Sequence, residues 1–152
     1  MKNTVDNTPK PPLTIVSECG EVPVHSAPIV AIAEKVYSQE NISNEQRVDL
    51  IFCSEETICR LNAFSRDKNK VTDVLSYPFN DPDFLGEIYL CTKRAQAQSR
   101  LYHITEEEEV ARLFTHGLIH LLGYDHQNEA DRTEMEAIEA KYFTCDPHKE
   151  TL

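Results

Sequence analysis

The segment that most constrains the fold is "TEEEEVARLFTHGLIHLLG", residues 105–123. Thr105 and Glu108 have the spacing of a capping box, and Gly123 suits the left-handed position that ends a helix. Apolar residues between them recur on one helical face, which predicts an amphipathic helix of about 18 residues. The glutamates at 106–109 are interpreted as a solvated helix start that the helix dipole favours.

Three histidines lie at the end of this segment. His116 and His120 are one helical turn apart, so both imidazoles can reach one metal ion at roughly 2.0–2.1 Å. Gly123 turns the chain, so that His126 can point back to the same ion. Three nitrogen ligands with an open fourth position favour a catalytic zinc ion, although nickel, cobalt or copper could also bind. The alternative is a structural zinc site whose fourth ligand is Asp125 or a cysteine.

The glycine after the first histidine argues against ordinary zinc-peptidase chemistry. Peptidases of the HExxH type carry a glutamate there as the general base, whereas this chain has Gly117, which supplies no proton acceptor. Two explanations for the glycine stay open, helix packing and room for a neighbouring element or substrate. A peptidase-like hydrolase would need a distant acid such as Glu87, and the general base stays unidentified.

The rest of the chain predicts a disordered leader at 1–12 and a single domain at 13–152. Strands are predicted in "LTIVSE", "RVDLIFC", "VTDVLSYPF" and "FLGEIYLC". Helices are predicted in "APIVAIAEKVY", "EETICRLN" after Ser54, "KRAQAQSR" capped by Thr92, and "EADRTEMEAIEAKYF". The stretch "AFSRDKNK", 63–70, is predicted to be a loop. In the last helix Met135, Ile138, Tyr142 and Phe143 form a stripe that should join the core.

Composition limits the location and the partners of the protein. The five cysteines form no close pair, which favours buried thiols in a reducing compartment, and no apolar run suits a membrane span or signal peptide. We therefore expect a cytoplasmic protein without a membrane partner. The net charge of −11 disfavours nonspecific polyanion binding, but residues 60–100 carry net positive charge. We expect their cations to be available to phosphates near the metal, and these cations are Arg60, Arg66, Lys68, Lys70, Lys93, Arg94 and Arg100.

The segment "HGLIHLLGYDH", which contains the three histidines, resembles the signature of the YbeY family of metal-dependent endoribonucleases. The blocks "LNAFSRDKNKVTDVLSYPF" (61–79), "LGEIYLC" (85–91) and "RAQAQ" resemble that family in order and spacing. The resemblance covers most of residues 50–140. Thr115 and Tyr77 depart from it, since an apolar residue and phenylalanine are common there, but neither is a proposed metal ligand.

The resemblance implies an α+β fold with a small mixed sheet, whose metal-bearing helix is similar to that of zinc peptidases. It implies one zinc ion bound by His116, His120 and His126. It also implies cleavage of single-stranded RNA, maturation of rRNA at the small-subunit 3′ end, ribosome quality control, and association with the small subunit and its assembly factors. Arg66 matches the family's functional arginine, and a guanidinium can clamp a phosphate bidentately. Without the resemblance, Arg66 would be a solvated loop residue.

Several alternatives remain at the level of sequence. Asp73 or Asp125 could hydrogen-bond a metal-ligating imidazole, as such imidazoles usually require. A peptidase-like hydrolase is the second hypothesis for function, and a ribosome assembly factor with a structural metal is the third. The oligomeric state, the physiological metal and the RNA cleavage site stay open.

Overall fold

The computed structural model describes residues 11–124 and 128–142, and these form four strands and five helices around one sheet. The strands are β1 (Leu13–Ser17), β2 (Arg47–Cys53), β3 (Val74–Asp81) and β4 (Phe84–Cys91). The helices are α1 (Ala27–Gln39), α2 (Glu55–Arg66), α3 (Thr92–Leu101), α4 (Glu106–Leu121) and α5 (Glu129–Glu139). The predicted α+β class is confirmed.

The sheet is mixed, with strand order β1-β2-β4-β3. β1 pairs with β2 in parallel, and β2 pairs with β4 in parallel, so that Asp49 lies beside Glu87. β3 and β4 form an antiparallel hairpin, as the turn residues "NDPD" predict, with Tyr77 beside Glu87 on its other side. Within the described residues β3 is an edge strand, and this edge becomes part of the site.

Helix α4 is the central helix of the domain. It packs against β3, β4, α1, α3 and α5. The apolar face of α4 consists of Leu113, Phe114, Leu118 and Leu121, which are all buried. These residues pack with the inward-facing residues of the sheet in the main core. Burial of this face fixes the rotational orientation of α4 about its axis. It thereby fixes the direction in which His116 and His120 point.

Two helix starts follow the sequence signals, and one does not. Thr105 and Glu108 form the predicted capping box, and Ser54 caps α2 by accepting from the backbone N–H of Thr57 at 3.1 Å. Thr92 was expected to cap α3, but Cys91 is the N-cap residue and Thr92 is the first residue of the helix. The strand β4 runs directly into α3, so that no residue is left between them for a separate cap.

The cysteines and the last helix agree only in part with expectation. Cys53 and Cys91 are buried side by side on β2 and β4, and burial raises the pKa of the Cys53 thiol to about 12. Cys19 is exposed, contrary to prediction, because it follows the end of β1.

The predicted apolar stripe of α5 is confirmed for Met135, which is buried, and Tyr142 packs against the core. Phe143 lies outside the described residues.

The acidic start of α4 is not uniformly solvated. Glu109 is fully buried, and the guanidinium of Arg112 donates to both of its carboxylate oxygens at 3.2 Å. The side-chain amide of Gln98 on α3 donates to the same carboxylate. The interpretation of all four glutamates as solvated is wrong for Glu109, because α3 packs over that face of α4.

Replacing Glu109 with alanine should therefore destabilise the protein by about 1–3 kcal/mol, because Arg112 and Gln98 would keep half-buried donors without their acceptor. The matched variant Glu106→Ala, in the first turn of the same helix, should cost less than about 1 kcal/mol. Urea denaturation followed by circular dichroism measures both. Equal losses in the two variants would contradict the structural role of Glu109.

Candidate active site

A pocket of about 690 Å³ lies along the edge strand β3, between the end of α2 and the C-terminal half of α4. It has the size of small-ligand sites in other proteins. It is lined by Ser65, Arg66, Thr72, Asp73, Val74, Leu75, Ser76, Tyr77, Pro78, His116, His120, Gly123 and Tyr124. Imidazoles, a guanidinium and several hydroxyl groups thus meet in one cavity.

His116 and His120 lie together on the pocket side of α4. Both are half-buried, and their ring centroids are 4.8 Å apart with the ring planes at 79°. This arrangement follows from the four-residue spacing on a helix whose opposite face is buried. Gly123 has a φ of +101°, as its predicted role at the helix end requires. His126, the third predicted ligand, lies outside the described residues, as does Asp125.

Arg66 lines the same pocket, although it is far from the histidines in sequence. The prediction of a loop at 63–70 is wrong for its first four residues, because α2 continues to Arg66 and ends at Asp67, which has a φ of +55°. The Tyr77 hydroxyl on β3 lies 2.7 Å from Ser65 Oγ and donates to the Leu61 carbonyl at 3.4 Å. These contacts hold the end of α2, and the exposed Arg66 with it, against the pocket edge.

Gly117 lies where α4 closely approaches the sheet. A Cβ atom there would lie 2.8 Å from Ile88 Cγ2 and 3.0 Å from Ser76 Oγ, and Ser76 Oγ donates to the Gly117 carbonyl at 3.0 Å. The structure thus supports close packing of α4 against a neighbouring element, the sheet. It does not support the other possibility, that the glycine makes room for a substrate. A glutamate at this position would meet the sheet instead of the pocket.

Glu87 does not belong to the pocket. Its neighbour Ile88 faces α4, and successive side chains of a strand point to opposite faces of the sheet. Glu87 therefore lies on the other face, where burial, followed by the nearby charge of Asp49, raises the pKa of its carboxyl. The distant base considered for a peptidase-like hydrolase is thus on the wrong side of the sheet.

The basic middle third of the chain does not form one patch. Arg66 lines the histidine pocket, whereas Lys93 lines a different cavity with Glu55 and Glu56, and Arg60 lies 3.7 Å from Glu56. The expectation that all seven cations are available near a metal is therefore wrong for Arg60 and Lys93. Arg60 on α2 and Lys93 on α3 are not among the residues that line the pocket.

A carboxylate that sequence analysis did not single out lies beside the first histidine. Glu139 Oε2 on α5 is 3.3 Å from His116 Nδ1. Asp73, one of the two expected partners, lines the pocket, but its Oδ1 accepts from the backbone N–H of Val74 at 2.8 Å. Nothing in the sequence distinguishes Glu139 from the other glutamates of α5, because its contact depends on how α5 packs on α4.

Comparison with known proteins identifies the family of this chain. The family model described as Endoribonuclease YbeY matches residues 18–145. The chain belongs to the YbeY endoribonuclease family. Proteins named Endoribonuclease YbeY are 40% identical over 107 residues in Staphylococcus saprophyticus and 42% identical over 102 residues in Finegoldia magna. These alignments cover 64% of this chain in both cases, and 70% and 67% of the respective relatives.

A solved structure supports the same fold. The solution structure of a Thermotoga maritima protein is 32% identical and superposes with a TM-score of 0.58, covering 86% of this chain and 85% of that one. Membership of the YbeY family makes the protein a hydrolase of the endoribonuclease class, with RNA as its substrate. None of the helices in 11–124 and 128–142 is long and apolar enough to cross a membrane.

Proposed function

We propose that the protein is a metal-dependent, single-strand-specific endoribonuclease that acts in rRNA processing at the small-subunit 3′ end and in ribosome quality control. The observation that carries the proposal is the pocket in which Arg66 meets His116 and His120. A cation that can bind phosphate and a pair of imidazoles that can hold a metal ion both suit metal-assisted phosphodiester hydrolysis.

The donor set fits a zinc ion. His116 and His120 present neighbouring rings on one turn of α4, and His126 is the proposed third ligand. When bound, zinc lowers the pKa of a coordinated water toward about 7 and polarises a phosphoryl oxygen. Gly117 has no side chain that could act as a base, so another group would have to accept a proton from water at this site.

Arg66 is assigned to the phosphate. It is exposed at the end of α2, and the contacts of Tyr77 with Ser65 and Leu61 hold that end beside β3. A guanidinium can donate two parallel hydrogen bonds to phosphate oxygens and offset the negative charge that develops on them during cleavage. Its role is thus to bind and orient the scissile phosphate.

The size of the pocket and the net charge of the chain support single-stranded RNA as the proposed substrate. A pocket of about 690 Å³ accommodates an unpaired nucleotide, and unpaired nucleotides can splay their bases into protein pockets, which a duplex does not allow. The net charge of −11 opposes broad contact with RNA phosphates. We therefore propose that the small ribosomal subunit and its assembly factors present the RNA to this pocket.

Cleavage of an end-labelled single-stranded RNA tests the proposal. The zinc-loaded protein should cut it, a chelator should stop the reaction, and added zinc should restore it, because the proposal assigns the imidazoles of His116 and His120 to holding the metal and assigns the activation of water to the bound ion. The same RNA annealed to its complement should stay intact. Chelator-resistant cutting would contradict metal dependence. Failure to cut any free or ribosomal RNA would favour the non-catalytic assembly factor.

A further inference from the structure

The contact between His116 and Glu139 specifies which imidazole nitrogen is free to bind a metal. An ionised carboxylate only accepts hydrogen bonds, so the 3.3 Å contact requires a proton on His116 Nδ1. In the neutral ring this leaves the lone pair on Nε2, at the far side of the imidazole. Metal-ligating histidines usually donate their second ring N–H to a carboxylate, carbonyl or water in this way.

Glu139 is held in position by the packing of α5. Met135, one turn earlier, is 2% exposed, and Lys141 Nζ and Tyr142 Oη donate to Glu40 Oε2 at the end of α1, at 3.1 and 3.0 Å. These contacts fix the C-terminal end of α5 on both sides of Glu139. The packing of α5 therefore places the Glu139 carboxylate beside His116.

The stability of α5 does not explain a glutamate at this position. A negative charge in the last turn of a helix opposes the helix dipole, at a cost of about 0.3–1 kcal/mol at an exposed site. The last turn of α5 contains no basic residue to offset that charge. The contact with His116 is the interaction that accounts for a carboxylate at 139.

We propose that Glu139 is a positioning residue that selects the Nδ1-protonated form of His116 and orients Nε2 toward the metal. This inference rests on the proposed function, because it assigns His116 as a ligand. Glu139 is thus a carboxylate partner of His116 beside the two aspartates considered from the sequence, and it makes the packing of α5 on α4 part of the site. The carboxylate also increases the basicity of the ligating nitrogen.

The test is the zinc affinity of variants, measured by competition with a chromophoric chelator in the absence of RNA. Glu139→Ala should bind zinc about 10- to 100-fold more weakly than the wild type. Glu139→Gln keeps an acceptor oxygen but loses the charge, so its affinity should fall between the two. The control Glu134→Ala, an exposed glutamate on the same helix, should bind zinc as the wild type does.

Nitrogen-15 NMR of the imidazoles gives a second readout, since the metal-free wild type should show His116 protonated on Nδ1 and Glu139→Ala should shift it toward the Nε2 form. Thermal melts show whether each variant is folded. Wild-type zinc affinity and an unchanged His116 tautomer in folded Glu139→Ala would overturn the inference and leave the proposed function intact. Absence of zinc binding by the wild type would instead overturn the proposed function.

Discussion

Replacing His120 with alanine is expected to abolish RNA cleavage. The substitution removes one of the two neighbouring imidazoles on α4, so that the proposed zinc ion loses one of three protein ligands. The loss should exceed the roughly 10²–10³-fold effect of removing one group that stabilises the transition state. Alanine is the best helix former, so α4 should persist, and circular dichroism would verify this.

The His120 experiment needs a matched substitution away from the pocket. His25 is exposed before α1 and does not line the pocket, so His25→Ala should cut RNA at the wild-type rate. Zinc titration of the same preparations should show weakened binding for His120→Ala alone. If His120→Ala bound zinc poorly but cut RNA as fast as the wild type, metal-dependent cleavage at this site would be refuted.

Arg66→Ala is expected to reduce the rate of RNA cleavage by about 10²–10³-fold while leaving zinc affinity unchanged. The guanidinium lines the pocket with the histidines but is exposed, so its removal deletes a phosphate contact without opening the core. Arg66→Lys keeps the charge but loses the planar fork that binds two phosphate oxygens, and it should recover only part of the rate. Unchanged zinc affinity separates this defect from that of His120→Ala.

The salt dependence of RNA affinity provides a second test of the phosphate contact assigned to Arg66. For single-stranded RNA, each lost phosphate contact should lower the slope of log affinity against log salt by about 0.7. Arg60→Ala is the matched control, since Arg60 is an exposed arginine on the same helix that lies beside Glu56 and not beside the pocket. A wild-type rate and slope in Arg66→Ala would remove the arginine from the site.

Local interactions explain what could be predicted from sequence. The capping box of Thr105 and Glu108, the left-handed Gly123 and the spacing of His116 and His120 all depend on residues within one or two helical turns. The strand β2 was predicted from its β-branched and aromatic residues, and β4 from its place after the turn residues "NDPD", which are local signals too. The family resemblance added the α+β class and the match of Arg66.

The sequence by itself determined the helix that carries the histidines, their common face and the absence of a glutamate at 117. Only the tertiary structure decided which distant residues meet them. The strand order and the position of α2 place Arg66 at the pocket. The alternation of side chains along β4 places Glu87 on the other face of the sheet. The packing of α5 places Glu139 beside His116. These outcomes depend on how separate elements pack, and packing depends on contacts between residues far apart in the chain, which the local spacing of residues does not encode.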